Sequence, residues 1–272
     1  LGLDHEQVLF GRFAVPVMVR FLDQNKGQLD EKQRDKLLFW FAQAGMWGRY
    51  SGNTESTIDE DLAALESGGI DGLLTKLRFW RGGLRIEPEH FTGWSLGARF
   101  YPVLYMLTRM GGARDWGTGI ELKANLLGKM SKLEVHHIFP KARLYKRDHT
   151  RAEVNALANF CFQTKQTNLE ISDRLPEEYF AEFEQRHPGA LASQWIPMDR
   201  ALWKMENYRD FMEARKELLA AEANKRMEEL LHGETHWLEG TSAKKALTIP
   251  VPGGIASETE EAQLTELNDW VA

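Results

Sequence analysis

The stretch that most limits what this chain can fold into is residues 133–138. Around it, apolar residues recur at helical spacing. Within it, Leu133, Val135 and the pair His136-His137 form a short run of strand character, which Pro140 stops. A second strand candidate, Phe160-Cys161-Phe162-Gln163, follows after a connection of about twenty residues, a length that suggests function. Thr164 is placed to cap a helix that carries Asn168. Strand, long loop, strand and helix in that order predict a compact ββα hairpin inside a mainly α chain. Adjacent residues of a regular strand point to opposite faces, so His136 and His137 share one cleft only if the strand bends where they sit.

Residues 1–128 read as a helical scaffold. Val8, Leu9, Phe10, Phe13, Val17, Phe21 and Leu22 recur at helical spacing, with a kink or break at Pro16. Asp30 is a capping candidate for a helix through Leu37, Leu38, Phe41 and Met46, and residues 47–53 read as a loop. Residues 57–65 and 70–80 predict two short helices separated by Gly68-Gly69. Gly82-Gly83 then breaks the chain before an extended piece, Leu84-Arg85-Ile86. Residues 94–110 predict one apolar helix kinked at Pro102.

Residues 129–232 would hold the hairpin and a long C-terminal helix. Residues 152–157 predict a short helix, and Pro176 opens another that runs to about Arg186. The last helix covers roughly 199–231, with Tyr208, Phe211, Met212, Leu218, Leu219, Met227, Leu230 and Leu231 on one stripe. Residues 233–272 read as a flexible acidic tail containing Pro250, Pro252, Gly253 and Gly254.

With 43% hydrophobic residues, nine Trp and fourteen Phe in 272 residues, the chain has ample material for a core. A single cysteine, Cys161, rules out an internal disulfide framework and a Cys-rich zinc knuckle. It fits a cytoplasmic setting and reads as a buried strand residue. The longest apolar stretch, residues 8–22, is too short and too charged to span a bilayer.

A net charge of −6 argues against a general nucleic-acid binder, but the charge is uneven. Lys129, Lys132, Lys141, Arg143, Lys146, Arg147 and Arg151 surround the histidines against only Glu134 and Asp148, while residues 257–272 are acidic. Phe79, Trp80 and Arg81 could stack on nucleic acid, although the end of an apolar helical stretch predicts core packing for the two aromatics. His232 and His236 read as surface residues.

These groups suit phosphodiester hydrolysis. A neutral imidazole can take a proton from water near working pH. A second imidazole and an amide oxygen can hold one divalent cation. Nearby lysines and arginines attract the phosphate backbone.

His136-His137-Ile138-Phe139-Pro140, then Asn159, then Asn168 followed by Ile171-Ser172-Asp173, resembles the pattern of HNH (ββα-metal) endonucleases. The longer run from Leu133-Glu134-Val135 through Leu157-Ala158-Asn159 and Thr167-Asn168 to Pro176 and Tyr179 is similar, more narrowly, to the C-terminal nuclease domain of GmrSD-type modification-dependent restriction enzymes. The likeness covers residues 130–180 and is looser over Arg49-Tyr50-Ser51, over Ala113-Arg114-Asp115-Trp116 and over the final helix.

The resemblance implies His137 as general base and His136 and Asn168 as ligands of one Mg²⁺ or Mn²⁺ ion. It implies that Asn159 holds the loop and orients His137. Asn155 is also close, but Asn159 has the family's nine-residue spacing to Asn168. Lys141, Arg143 and Lys165 would contact phosphate. His136 stands where the family often has Asp, which leaves a softer ion such as Ni²⁺ open. The family further implies DNA, modified or not, as substrate, products with 5′-phosphate and 3′-hydroxyl ends, and a role in antiviral defence. A second copy or successive nicks would be needed to cut both strands. The family's N-terminal nucleotide-dependent sensing domain has no counterpart here, and a start at Leu1 reads as that of a fragment. Two other readings are a catalytically inactive HNH fold acting as a DNA-binding or regulatory module, and a helical interaction protein whose histidines bind a structural ion.

Overall fold

A computed structural model describes residues 1–4, 6–93, 98–123 and 133–235. The chain enters through two single 3-10 turns, Glu6–Val8 and Arg12–Ala14, and then forms α1 (Val15–Gln24). Pro16 lies in the first turn of α1, so the break expected there is a helix start: the first turn leaves its N–H groups unpaired, and proline has none to leave.

Asp30 and Gln33 cap each other reciprocally, at 2.7 and 3.1 Å, to start α2 (Glu31–Trp47). The next loop is locked by Arg49. Its buried guanidinium forks onto Asp61 of α3 (Thr54–Arg81), and the Tyr50 hydroxyl donates to the same carboxylate. The two expected short helices are the two limbs of α3, broken at Gly69.

One expectation fails at the end of α3. Leu73, Leu74 and Leu77 are buried, but Phe79 is 87% exposed and Trp80 41% exposed. Phe79 follows Leu77 by two residues, which puts it on the opposite side of the helix. Among the described residues, the extended piece that follows has no neighbouring strand. Asn224 takes that place, accepting from the Ile86 N–H at 2.9 Å and donating to its carbonyl at 2.7 Å.

Helix α4 (Tyr101–Met110) likewise starts, rather than kinks, at its proline, because Pro102 sits in the first turn. Residues 94–97 of the longer helix expected there lie outside the described residues.

Strands β1 (Glu134–His137) and β2 (Phe160–Gln163) pair antiparallel, Glu134 opposite Gln163 and His137 opposite Phe160. They are joined through α5 (Lys141–Tyr145) and α6 (Arg151–Val154) and followed by α7 (Lys165–Ile171) and α8 (Pro176–Arg186). The last helix, α9 (Tyr208–His232), is shorter than the sequence suggests. Asp199 accepts from the Ala201 N–H, and the Trp203 indole and Asn207 amide donate to the Pro197 and Ala201 carbonyls. These local bonds hold residues 199–207 in turns. Leu218 faces solvent; the other expected stripe residues are buried or half-buried.

Among the described residues the protein is therefore mainly α, with one small antiparallel sheet. One hydrophobic core runs from Val8 to Leu230, and α9 packs on α2, on the 3-10 turn Pro88–Thr92 and on the turn Leu157–Asn159. The expected division near residue 128 falls in 124–132, outside the described residues. The chain stays docked just past α9, where Thr235 is buried and hydrogen-bonded to Asp35; residues 236–272, with the acidic tail and His236, lie outside the description. No helix among the described residues is long and apolar enough to cross a membrane.

Candidate functional site

The loop between the strands is closed by one amide. Asn159 is fully buried at the start of β2. Its oxygen accepts from the Phe139 N–H at 2.9 Å, and its nitrogen donates to the carbonyls of Phe139 and Val154 at 3.1 and 3.0 Å. Both ends of the loop are thus stapled to one side chain. Phe139 adds an apolar anchor, with its ring 5.1 Å from those of Tyr208 and Phe211 on α9. Burying a ring of that size stabilises the loop by roughly 1.5–3 kcal/mol. Arg215 of α9 reaches the carbonyls on either side of Asn159, those of Ala158 and Phe160, at 2.6 and 2.7 Å. Burial lowers its pKa to about 10, so it stays charged at neutral pH, resting on carbonyl oxygens.

His136 faces α7 and α8. Its Nδ1 lies 2.8 Å from Asn168 Oδ1 and its Nε2 lies 3.4 Å from the Tyr179 hydroxyl, which donates to the Ile138 carbonyl at 3.2 Å. The ring is 3% exposed, while Asn168 is half-buried. Burial brings the His136 pKa down to about 4, against an opposing contribution from the Asn168 hydrogen bond, so the imidazole is neutral at pH 7.

Asn168 is aimed by a second device. The buried carboxylate of Asp115 accepts from the Thr164 N–H at 2.7 Å and from the Thr167 hydroxyl at 2.5 Å, which fixes the first turn of α7. The approach is close: a Cβ on Gly117 would come within 2.5 Å of that same hydroxyl.

His137 faces elsewhere. Its ring packs against Phe160 with centroids 4.7 Å apart, and its Nε2 lies 3.3 Å from Asn155 Oδ1. The Asn155 nitrogen is committed to the Arg151 carbonyl at 2.9 Å, so its oxygen is the atom turned to the ring. Nε2 therefore carries the hydrogen, and Nδ1 keeps its lone pair. Burial lowers the His137 pKa to about 4, helped by the positive charge of Lys141.

The strand does not bend at the histidines. Regular pairing continues through His137, which puts the two rings on opposite faces of the ribbon, and the chain turns only afterwards, at Ile138-Phe139. The fold thus brings His136 to Asn168 and His137 to Asn155. The bonds of Asn159 go to loop backbone, and the amide on His137 is Asn155. Sequence spacing passed over Asn155. Asp115 was equally hidden, because it meets its partners from about fifty positions away.

Lys141, Arg143 and Lys165 are all exposed; Arg143 approaches Asp173 at 3.6 Å, while Lys129 and Lys132 lie outside the described residues. Cys161 is buried and its pKa is raised to about 12 by burial, which removes it as a nucleophile. His232 is exposed. Among the described residues no three His, Cys, Asp or Glu side chains cluster as a metal site.

The His136–Asn168 pair is a different donor set, one imidazole nitrogen and one amide oxygen. With metal–ligand bonds of about 2.1 Å, neighbouring corners of an octahedron are about 3.0 Å apart, so a 2.8 Å pair fits two of its corners. An ion there would take the place of the Nδ1–Asn168 hydrogen bond, with the imidazole hydrogen on Nε2 facing Tyr179.

Comparison with protein-family models, with curated proteins and with solved structures returns no match to this chain.

Proposed function

We propose that this chain is a metal-dependent DNA endonuclease of the HNH type. His136 and Asn168 would hold one Mg²⁺ or Mn²⁺ ion, and His137 would serve as general base, with the ribbon bending on substrate binding to bring both rings to one phosphate. The observation that carries this reading is the 2.8 Å approach of His136 Nδ1 to Asn168 Oδ1, one residue away from a histidine whose Nδ1 lone pair is free. When bound, the cation would polarise the phosphodiester and stabilise charge on the leaving oxygen.

The chain's own residues supply the rest. Asn155 keeps the hydrogen of His137 on Nε2, so Nδ1 is the proton acceptor. Water oxygen attacks phosphorus, its proton passes to Nδ1, the bond from phosphorus to the 3′-oxygen breaks, and that oxygen takes a proton from solvent, leaving 5′-phosphate and 3′-hydroxyl ends. A pKa of about 4 makes His137 fully available at neutral pH but weakly basic. An anionic phosphate beside the ring raises it toward working pH. Lys141, Arg143 and Lys165 would bind phosphates along the strand.

The resemblance in the sequence extends the proposal. The chain would be the cytoplasmic effector part of a restriction or antiviral protein acting on DNA, modified or not, downstream of a nucleotide-dependent sensing domain. It would cut both strands as a homodimer or in two nicks.

The test is plasmid nicking with Mg²⁺ or Mn²⁺, wild type beside His137→Ala. Removal of a general base should slow nicking by about 10²–10⁴-fold. Equal rates would reject the assignment. One observation favours a second reading, a catalytically inactive HNH fold that binds DNA: His136 is 3% exposed and both its nitrogens meet protein partners. DNA binding without cleavage in either metal would select it.

A further inference from the structure

A cavity of about 570 Å³ opens in the helical half of the molecule, away from the histidine pair. Its walls include the rings of Trp47, His90 and Phe100. His90 and Phe100 lie stacked, 4.9 Å apart and 7° from parallel, and Trp47 meets both edge-on at 4.8 and 5.3 Å.

Two arginines share this cavity, Arg81 and Arg99. Neither forms an ion pair among the described residues. The Arg81 guanidinium is held 4.3 Å above the Trp47 ring. A cation held by a ring face keeps its N–H donors unspent, unlike one held by a carboxylate. Arg99 donates one N–H to the Trp47 carbonyl at 3.3 Å. Its guanidinium packs where a side chain at residue 48 would be, because a Cβ on Gly48 would fall 2.6 Å from it. Gly48 also has φ +70°, so the position demands glycine twice over. The His90 Nδ1 accepts from the Glu87 N–H at 2.9 Å, which puts the hydrogen of a neutral ring on Nε2 as a further donor.

Aromatic walls with unspent cationic donors match one ligand chemistry, a planar ring carrying a phosphate. Just outside, α3 ends on Arg78-Phe79-Trp80-Arg81, with Phe79 87% exposed and Trp80 41% exposed. Exposed aromatics interleaved with arginines are what single-stranded nucleic acid stacks on.

We propose that this cavity is a nucleotide-binding site, which takes the base against the cavity side of Trp47, His90 and Phe100 and the phosphate on Arg81 and Arg99. The site goes beyond the nuclease reading and needs no hydrolysis. It is tied to the hairpin mechanically: the Gly93 carbonyl, on the cavity wall, accepts from the Leu157 N–H at 3.0 Å, in the turn that ends at Asn159.

The test uses the whole chain carrying His137→Ala, so that binding is read apart from cleavage. A fluorescent single-stranded oligonucleotide is titrated against this protein, against it with Arg81→Ala and Arg99→Ala, and against it with Arg85→Ala, a neighbouring arginine outside the cavity wall. The double variant should bind about tenfold more weakly, while Arg85→Ala stays within about twofold. Deoxyadenosine monophosphate should displace the probe about tenfold better than inorganic phosphate or deoxyadenosine alone. Arg81→Lys, which keeps the charge, serves if the double variant melts early, and should lose affinity because an ammonium cannot present the guanidinium's fork. Oligonucleotide binding tighter than mononucleotide binding assigns the site to a strand; the reverse assigns it to a free nucleotide. Equal losses in the double variant and in Arg85→Ala, or phosphate competing as well as nucleotide, would overturn the proposal. Nicking by the wild-type protein is read separately, so either claim can fail alone.

Discussion

The two faces of the hairpin carry the same side chain and treat it differently. On one face His136 is enclosed, with a protein group at each nitrogen, among Asn168, Tyr179 and Trp116. On the other His137 is half-buried, held at Nε2 by Asn155 and without a partner at Nδ1 among the described residues. Both pKa values fall to about 4, and burial is the larger cause in each, but Asn168 opposes the shift at His136 whereas Lys141 reinforces it at His137. A pair of adjacent histidines that reads as one motif is thus two positions in different settings: a neutral ring enclosed between two protein groups and a neutral ring with a lone pair to spare.

The largest expected stability effect comes from the staple both faces share. Asn159→Ala leaves the Phe139 N–H and C=O and the Val154 C=O without their partner, and should cost about 3–4 kcal/mol in urea unfolding. A loss below 1 kcal/mol would mean that the loop is held by Phe139 and Arg215 alone.

Acid should weaken both faces next. His136 has a folded pKa of about 4, below the unfolded value of 6.5, so its contribution is complete above pH 6.5 and disappears as pH falls toward 4. The window amounts to about 3 kcal/mol for a fully buried ring. Chemical denaturation from pH 7 to 4 checks it. His136→Gln should remove part of the slope over that range, since His137 titrates across the same window, and an unchanged slope would assign the acid sensitivity to other groups.

Asn155→Ala touches only the His137 face. It should slow nicking about tenfold by releasing the ring orientation, while melting shifts little, since the amide is half-buried. Comparable losses of stability and rate would make Asn155 structural. The smallest effect belongs to Lys141→Ala. Its charge disfavours protonated His137, so removing it should raise the His137 pKa and move the acid limb of the pH–rate profile to higher pH. The slope of log affinity against log salt should drop by about one.

Much of this architecture was legible from local chemistry. Asp30 with Gln33, Thr164 with Thr167 and the prolines at helix starts are short-range signals, although Pro16 and Pro102 read as breaks when they are beginnings. The strands stood out because they interrupt a helical pattern. What stayed hidden depends on contacts distant in sequence. Asp115 meets Thr164 and Thr167 only after the chain folds back, and Arg215 finds the Ala158 and Phe160 carbonyls from α9. Phe79 was misread because it lies two residues past Leu77, on the side of the helix opposite the buried stripe, a difference of angle that an apolar count cannot register.

The most direct measurement is a crystal structure of His137→Ala with Mn²⁺ and a short DNA duplex, using anomalous scattering to locate the metal. The account predicts one manganese peak between His136 Nδ1 and Asn168 Oδ1, with a backbone phosphate lying between that metal and the space left by the His137 ring. Manganese bound elsewhere, or a phosphate that never approaches the side of the hairpin where His137 stood, would contradict it.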